Sequence, residues 1–549
     1  MFCYQCEQTK EGKGCTIQGI CGKDDETATL QDLLIYVTKG ISQYAKRAHD
    51  LGVSDQQIDR FVAEALFSTI TNVNFDPDRL LTLIYKANDL KNKAKCMYED
   101  ACKAKEVPAD HPKGPAELVL ANGMEGLLAQ GRTVGVVAMR EKLGDTAAGI
   151  IQFTLHGLKG VCAYTDHAKE LGVEDDAHYA SIHEILDFLA KEEQNMEHLV
   201  AHLFATGKVN YKAMELLDRA NTQTYGHPEP TKVRITPVKG RAILVSGHDL
   251  LDLEELLKQT EGKDINIYTH GEMLPTHAYP KLKKYPHFKG NFGGAWQNQI
   301  HEFPNFKGPI LMTTNCIQRP QDVYKRNIFT SGLVAWPGVT HIKNHDFTPI
   351  IQAAQLMEGF LEDGENKEIT VGFGRNAILE NAGKIMDLIA QKKIRHIFLV
   401  GGCDGAKPGR NYYTEFAQQI PKDCLIMTLA CGKYRFNKLD FGDIEGIPRL
   451  LDVGQCNDAY SAIQVAVALA NAYGVTVNDL PLSLVLSWYE QKAVAVLLTL
   501  LDLGIKNIRI GPSLPASLTP DVIEFLSDKF GIKPIKTSDE DLKNILQTN

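Results

Sequence analysis

Residues 482–492 read Leu482-Ser483-Leu484-Val485-Leu486-Ser487-Trp488-Tyr489-Glu490-Gln491-Lys492. A β-rich run, Leu482–Trp488, passes within two residues into a segment that starts a helix near Gln491. The same unit recurs along the second half of the chain. Further β-rich runs at Ala242–Ser246, Ile265–Tyr268, Ile310–Thr313, Ile369–Val371, Ile397–Val400, Leu425–Leu429, Leu450–Val453 and Ile508–Ile510 alternate with amphipathic helical sequence. Strands alternating with helices imply parallel sheets of doubly wound type. Nine strands over about 310 residues suit two such domains.

Working outward, the first part of the chain has a different texture. Leu30, Leu33, Leu34, Val37 and Ile41 recur at helical spacing, and Gly52 is a natural stop. Asp76-Pro77-Asp78 opens a second long helix through Leu80, Leu81, Ile84 and Tyr85, and Ile182, Ile185, Leu186 and Leu189 continue the theme. No strand is expected before residue 230. Gln223 to Gly240 carries Pro228, Pro230 and Pro237 and reads as a linker. The polar stretch 362–368 is the expected boundary between the sheets. The expected architecture is multidomain α and α/β: a helical-bundle domain over 1–222, a first α/β domain over 223–366 and a second over 367–549. There is no internal repeat and no low-complexity segment.

The whole chain has 549 residues and a formal net charge of −9. A general nucleic-acid binder would carry a basic surplus, so nucleic acid is not an expected partner. With 44% hydrophobic and 23% charged residues, disorder and small disulfide scaffolds are excluded. No run reaches the ~18 apolar residues of a membrane span. The N-terminus lacks the basic and apolar regions of an export signal, so a cytoplasmic protein is expected.

In that compartment twelve cysteines point to metal or to chemistry rather than to disulfides. Cys3, Cys6, Cys15 and Cys21 form C-x2-C-x8-C-x5-C, with Gly12, Gly14 and Gly19 supplying turns. Four thiolates within so short a stretch can converge on one centre, either structural zinc or an iron–sulfur cluster. Glu7 stands where a haem-attachment motif needs histidine. The absence of histidine favours [4Fe–4S], but spacing leaves the metal open.

A second set emerges from one geometric rule. In open α/β sheets ligands bind outside the carboxyl ends of the strands. Reactive side chains within four residues of the ends of seven predicted strands are His248, Glu272, Cys316, Cys403, Cys431, Cys456 and Glu490. Each has an innocent reading: a buried cysteine as a small hydrophobe, Glu490 as a helix-start acid, His248 as a turn residue before the N-cap Asp249. One rule selects all seven, which makes coincidence a poor account. Seven ligands exceed the four of a zinc or a cubane. Mixed soft and hard donors suit a polynuclear iron site with sulfide on one side and oxygen or open positions on the other. Lys492 opposes the helix dipole in the first turn, typically at ~0.3–1 kcal/mol. It is either a solvated surface lysine or a proton donor or anchor for substrate.

Other signals are weaker. Cys424 begins a strand, Cys96 and Cys102 share no helix face well, and Cys162 has small and apolar neighbours, so all four read as structural. Gly372-Phe373-Gly374 reads as a tight turn between strand and helix, because no acidic residue follows about 20 positions on to hold a ribose. No Walker-type loop or G-x-S-x-G elbow occurs.

These residues together resemble the hybrid cluster proteins, also called prismane proteins or hydroxylamine reductases. The likeness runs the whole length. It covers the N-terminal cysteines, which look like the anaerobe-type cubane motif. It continues through Gly247-His248-Asp249-Leu250, His270-Gly271-Glu272-Met273-Leu274-Pro275, Thr314-Asn315-Cys316-Ile317, Gly401-Gly402-Cys403-Asp404-Gly405, Ala430-Cys431-Gly432-Lys433-Tyr434-Arg435-Phe436, Gly454-Gln455-Cys456-Asn457-Asp458 and Ser487-Trp488-Tyr489-Glu490-Gln491-Lys492. The resemblance implies a helical domain followed by two α/β domains, related to nickel–iron carbon monoxide dehydrogenase. It implies a [4Fe–4S] cluster on the first four cysteines. It also implies a hybrid [4Fe-2O-2S] cluster on the seven strand-end residues, with a persulfide at Cys403. The implied activity is reduction of hydroxylamine to ammonia and water, or of nitric oxide to nitrous oxide. Glu490 is expected at the centre of turnover, with Lys492 and Tyr489 supplying protons. With no nucleotide motif, electrons are expected from an external ferredoxin-like protein or reductase. Three rivals stand beside this reading: a carbon monoxide dehydrogenase-like enzyme, a non-enzymatic redox sensor or nitrosyl-transfer protein, and a zinc-structured scaffold.

Overall fold

A computed structural model describes residues 1–193, 195–405 and 411–548. The long helices of the first part span Asp25–Asp50, Gln56–Ser68, Pro77–Lys105, Asp145–Glu170, Asp176–Ala190 and Met196–Tyr225. Their starts are written in the sequence. Asp24 accepts the Thr27 amide at 2.8 Å, and Asp76 accepts that of Asp78 at 3.0 Å with Pro77 in the first turn. The first helix stops two residues before Gly52, which takes φ +80°. No helix among the described residues is long and apolar enough to cross a membrane.

Two six-stranded sheets follow. The first has the spatial order Phe288–Asn291, Ile265–His270, Arg241–Ser246, Ile310–Met312, Ile328–Thr330 and Thr340–His341. The second has the order Leu450–Gly454, Cys424–Leu429, His396–Gly402, Leu482–Ser487, Arg509–Gly511 and Lys533–Pro534. All their pairings are parallel, as the alternating pattern requires. Leu482–Ser487 lies inside the second sheet between His396–Gly402 and Arg509–Gly511.

The strand expected at Ile369–Val371 exists but joins neither large sheet. Glu368–Val371 pairs antiparallel with Thr231–Arg234 in a two-stranded ribbon, with Thr231 opposite Val371. The stretch expected as linker therefore holds the last residues of a helix, through Tyr225, and a strand. Further strands that sequence missed, Phe288–Asn291, Ile328–Thr330, Thr340–His341, Asp443–Ile444, Ile447–Pro448 and Lys533–Pro534, run two to four residues, too short to show a period.

The helix Gln491–Asp502 sets the site. It leaves the second sheet and packs into the helical region, where Leu498 joins one hydrophobic core with Leu158, Leu203 and residues of that sheet. Glycines permit the approach. A Cβ at Gly207 would stand 2.1 Å from the Leu498 carbonyl oxygen, and one at Gly160 would stand 2.6 Å from that of Gln491.

Candidate metal centre

The strand-end residues converge where the two sheets face the helical region. His248 follows Arg241–Ser246, and Glu272 follows Ile265–His270. Cys316 follows Ile310–Met312, and Cys403 comes directly after His396–Gly402. Cys431 comes two residues after Cys424–Leu429, Cys456 two after Leu450–Gly454, and Glu490 three after Leu482–Ser487. Ligating atoms of His248, Glu272 and Cys456 all lie within 4.8 Å of one another. Cys403 Sγ is 3.9 Å from Glu490 Oε1. Cys316, Cys431 and Cys403 share a small cluster with Trp296 and Tyr489.

Neighbouring atoms fix these side chains. Glu272 Oε2 accepts the Cys456 amide at 2.9 Å, while Gln455 Nε2 donates to the Glu272 carbonyl at 2.7 Å. His248 Nδ1 lies 3.0 Å from the Asn315 carbonyl and 3.1 Å from Thr314 Oγ1, which leaves Nε2 turned toward Glu272 Oε2 at 3.9 Å. Asn315 Nδ2 reaches Cys316 Sγ at 3.5 Å. Glu490 is indeed the N-cap of its helix, its Oε2 accepting the Lys492 amide at 2.9 Å. Its other oxygen is the one that faces Cys403. The structure overturns the surface reading of Lys492. The side chain is wholly buried, with Nζ 2.9 Å from His248 Nε2, 3.0 Å from Asn315 Oδ1 and 3.8 Å from Glu490 Oε1.

Burial dominates the electrostatics. It pushes the thiols of Cys316 and Cys403 well above their ordinary value, with the Glu490 carboxylate adding to it, and that of Cys431 likewise, with Glu272 adding. Cys456 is pushed up to about 12 by burial, against the pull of Lys492. Burial also raises Glu272 and Glu490 and drives His248 well below its usual range. Lys492 alone resists: burial works to lower it, but Cys456, Glu490, Cys316 and Cys403 together hold it above its ordinary value. Glu272 Oε1 is buried and has no hydrogen-bond partner among the described residues. Four thiols and two carboxyls packed this way need shared cations to ionise, while burial keeps the His248 imidazole in the neutral form that can ligate a metal. The donor set fits a mixed soft and hard iron centre.

The N-terminal cysteines form a second group. Cys3 and Cys15 exchange backbone hydrogen bonds at 3.0 and 2.8 Å, which folds the stretch into a loop. Burial raises Cys6 and Cys21, and in each case nearby thiols of the same four add to the shift. Cys6 also packs in the cluster that holds Cys316, Cys431 and Tyr489. Tyr489 stacks on Trp296 with ring centroids 4.1 Å apart, reaches Asn72 Oδ1 at 3.4 Å through Oη, and accepts the Glu7 amide at its carbonyl. It thus stands between the two sets. The four cysteines read as structural are Cys102, Cys162 and Cys424, all buried, and Cys96, which is exposed. Gly372 takes φ +96°, where a Cβ would meet the Glu229 carbonyl at 2.2 Å, so Gly372 serves a tight turn.

Sequence reasoning missed Asn315, which holds both Lys492 and Cys316, although it adjoins a chosen ligand. It also missed His167, on helix Asp145–Glu170, whose ring stacks on His248 at 6.4 Å.

Comparison with known proteins gives a consistent result. The pattern of the Prismane/CO dehydrogenase family matches residues 1–543. A hydroxylamine reductase of Syntrophobacter fumaroxidans is 57% identical over 546 residues, with 100% of each chain covered. One from Methanocella arvoryzae is 54% identical, also with 100% of each chain covered. Among solved structures, carbon monoxide dehydrogenase IV from Carboxydothermus hydrogenoformans aligns with a TM-score of 0.56 at 16% identity, covering 99% of this chain and 92% of its own. At that identity the likeness speaks for the fold. With the family pattern matched over residues 1–543 and relatives 54–57% identical over the full length, the chain belongs to the Prismane/CO dehydrogenase family.

Proposed function

We propose that this chain is a cytoplasmic iron–sulfur oxidoreductase that reduces hydroxylamine, NH2OH + 2e⁻ + 2H⁺ → NH3 + H2O. The observation that carries the reading is the buried Lys492 ammonium set among seven strand-end donors. Cys3, Cys6, Cys15 and Cys21 would hold a [4Fe–4S] cluster. His248, Glu272, Cys316, Cys403, Cys431, Cys456 and Glu490 would hold a hybrid Fe–S–O cluster, with Cys403 as persulfide. When bound, the two iron centres supply electrons and open coordination for the N–O group. The chain's own residues hold the protons: Lys492 at Nζ, and Tyr489 at Oη. Asn315 and Glu490 orient Lys492, and the surrounding core excludes bulk water. Electrons enter from a separate ferredoxin-like protein or reductase. The boundary expected at 222 falls inside the helix Met196–Tyr225, so in this reading the first division follows Tyr225 and the second lies at 366.

One feature favours nitric oxide as a second substrate. An apolar cavity of about 230 Å³ touches Cys403 and Cys456 and runs between Leu399, Ile463 and Leu500. Such walls suit an uncharged diatomic better than a hydrogen-bonding molecule.

The test is metal analysis and turnover on anaerobically purified protein. About eight iron atoms per chain, as two four-iron centres, and ammonia formed from hydroxylamine are expected. Nickel would point to the carbon monoxide dehydrogenase alternative, and zinc alone to a scaffold. Two reduced centres that turn over neither compound would leave the sensor or nitrosyl-transfer role.

A further inference from the structure

A second group of metal-ligating side chains lies outside the candidate centre, within the helical region. His49 stands in the last turn of helix Asp25–Asp50, Asp59 on helix Gln56–Ser68 and His183 on helix Asp176–Ala190. Each offers one ligand atom, and the three atoms lie within 4.8 Å of one another. Asp59 Oδ1 is the hub: His183 Nε2 lies 2.9 Å from it and His49 Nε2 3.4 Å. Asp59 and His183 are buried, while the His49 side chain keeps 11% of its surface exposed. None of the three belongs to the strand-end donors or to the N-terminal cysteines.

The arrangement is lopsided for hydrogen bonding alone. A carboxylate offers two oxygens and about four lone-pair sites. Both imidazoles face Oδ1, whereas Oδ2 is buried with no hydrogen-bond partner among the described residues. Oδ2 shares a carbon with Oδ1, so the unpartnered oxygen stands at the meeting point of the two rings. Leaving a buried carboxylate oxygen unpaired is costly, and a cation bound there would remove the cost.

Ser42 supplies what a ligating histidine needs. His183 Nδ1 is 2.9 Å from Ser42 Oγ. With Nδ1–H donating to that hydroxyl, the Nε2 lone pair is turned toward Asp59, and ligating histidines ordinarily have their other nitrogen held in this way. A lone pair facing a carboxylate oxygen at 2.9 Å is favourable only with a cation between them. The spacing suits one. Ligands at zinc bond lengths of about 2.0–2.1 Å around a tetrahedron stand ~3.3 Å apart, against 2.9 and 3.4 Å here. Two imidazoles and a carboxylate select a borderline divalent ion. Cu(I) prefers sulfur ligands, and Mg²⁺ and Ca²⁺ prefer an all-oxygen shell.

We propose that His49, Asp59 and His183 form a further metal site, for a divalent ion of the zinc class, that cross-links three helices of the helical region. The partly exposed His49 is the side of entry, and both Asp59 oxygens are available to the ion. The site is independent of the reduction of hydroxylamine and stands whether or not that reading holds.

The experiment uses untagged holoprotein with its iron in place, dialysed with zinc chloride. One zinc per chain should be retained beside the iron. X-ray absorption at the zinc edge should show nitrogen and oxygen neighbours, imidazole among them, and no sulfur. Ser42→Ala removes only the hydrogen bond on His183 Nδ1 and should weaken zinc binding roughly 10–100-fold. His49→Gln removes a ligand from the partly exposed side of the site and should weaken it further. Zinc should raise the thermal midpoint of wild type and raise it less in both variants, with iron content unchanged. Zinc coordinated by sulfur overturns the site, since the ion would then have entered a cysteine set. Wild type that retains no zinc overturns it as well. Variants that bind zinc as wild type does also overturn it, and the three side chains are then a hydrogen-bonded contact between helices.

Discussion

Lys492 Nζ lies 2.9 Å from His248 Nε2, and both side chains are buried. An ammonium has only donors, so the imidazole must accept at Nε2 and carry its proton on Nδ1, toward the Asn315 carbonyl. The ring is thus held in the tautomer that a metal ligand needs. If His248 held iron at Nε2, its one lone pair there would be taken, and Lys492 would keep Asn315 Oδ1 as its anchor. Lys492→Met should therefore retain iron and lose the proton. We expect ammonia formation to fall by ~10²–10⁴-fold with the iron content unchanged. A variant that loses the iron along with the rate would make Lys492 structural.

Glu490→Gln separates two roles that meet in one side chain. The amide can still cap the helix through its carbonyl oxygen, so stability should fall by no more than about 1 kcal/mol. It cannot supply the negative charge that faces Cys403 at 3.9 Å. Turnover should be crippled while the thermal transition barely moves. Equal rates in variant and wild type would reduce Glu490 to a cap.

The legibility of this site came from a single regularity. Parallel strands deliver their C-terminal residues to one edge, so reactive side chains within four residues of seven expected strand ends could be chosen with no knowledge of the fold. The residues that escaped have no such marker. His167 sits in a helix whose residues are nearly all buried, and nothing in its local sequence separates a histidine lining a cavity from one packed in a core. Ile369–Val371 shows the complementary limit: apolar β-branched residues announce a strand but do not say which strand it will meet. The exposed Cys96 shows that a helix periodic over many turns leaves the orientation of single residues open.

The two cysteine groups share no residue, although Cys6 packs in one cluster with Cys316 and Cys431. Cys6→Ser should therefore abolish the paramagnetic signal of the N-terminal centre and leave the other centre's signal in place. Electron delivery from an external donor should stop, while a small-molecule reductant that reaches the inner centre directly should still support turnover. Loss of all iron from folded protein would show that the two sets build one centre.

His345 offers a test by pH. Its hydrogen bond to Asp252 raises it from 6.5 to about 9, against the pull of burial. The folded protein binds this proton more tightly than the unfolded chain. The pair's contribution is therefore complete below pH 6.5, declines through the window and is gone above about 9. His345 is partly exposed, so the effect is modest. The difference in thermal midpoint between wild type and His345→Gln should narrow as pH rises from 6.5 to 9. A gap that stays constant would show that the imidazole is not charged in the fold.

The close contact behind the site can be probed with a single methyl group. Gly207 lies against the helix that begins beside Glu490, and a Cβ there would stand 2.1 Å from the Leu498 carbonyl oxygen and 2.9 Å from the Thr499 amide nitrogen. Thr499 Oγ1 donates to the Gly207 carbonyl at 2.8 Å and receives Asn210 Nδ2 at 2.9 Å, so the two helices have no slack along this line. Backbone cannot move aside as a flexible side chain can, so Gly207→Ala should cost about 1–3 kcal/mol through overpacking. The shift should also reach the start of the helix, where Lys492 holds its distances to His248 and Asn315, and lower turnover more than iron content. Gly383 is the control. It lies within helix Ala382–Ala390 with no atom within 4 Å of an added Cβ, so Gly383→Ala should stabilise by roughly 0.5–1 kcal/mol. If Gly207→Ala proves as harmless as Gly383→Ala, the interhelix contact does not position Lys492, and the catalytic geometry rests on the sheets alone.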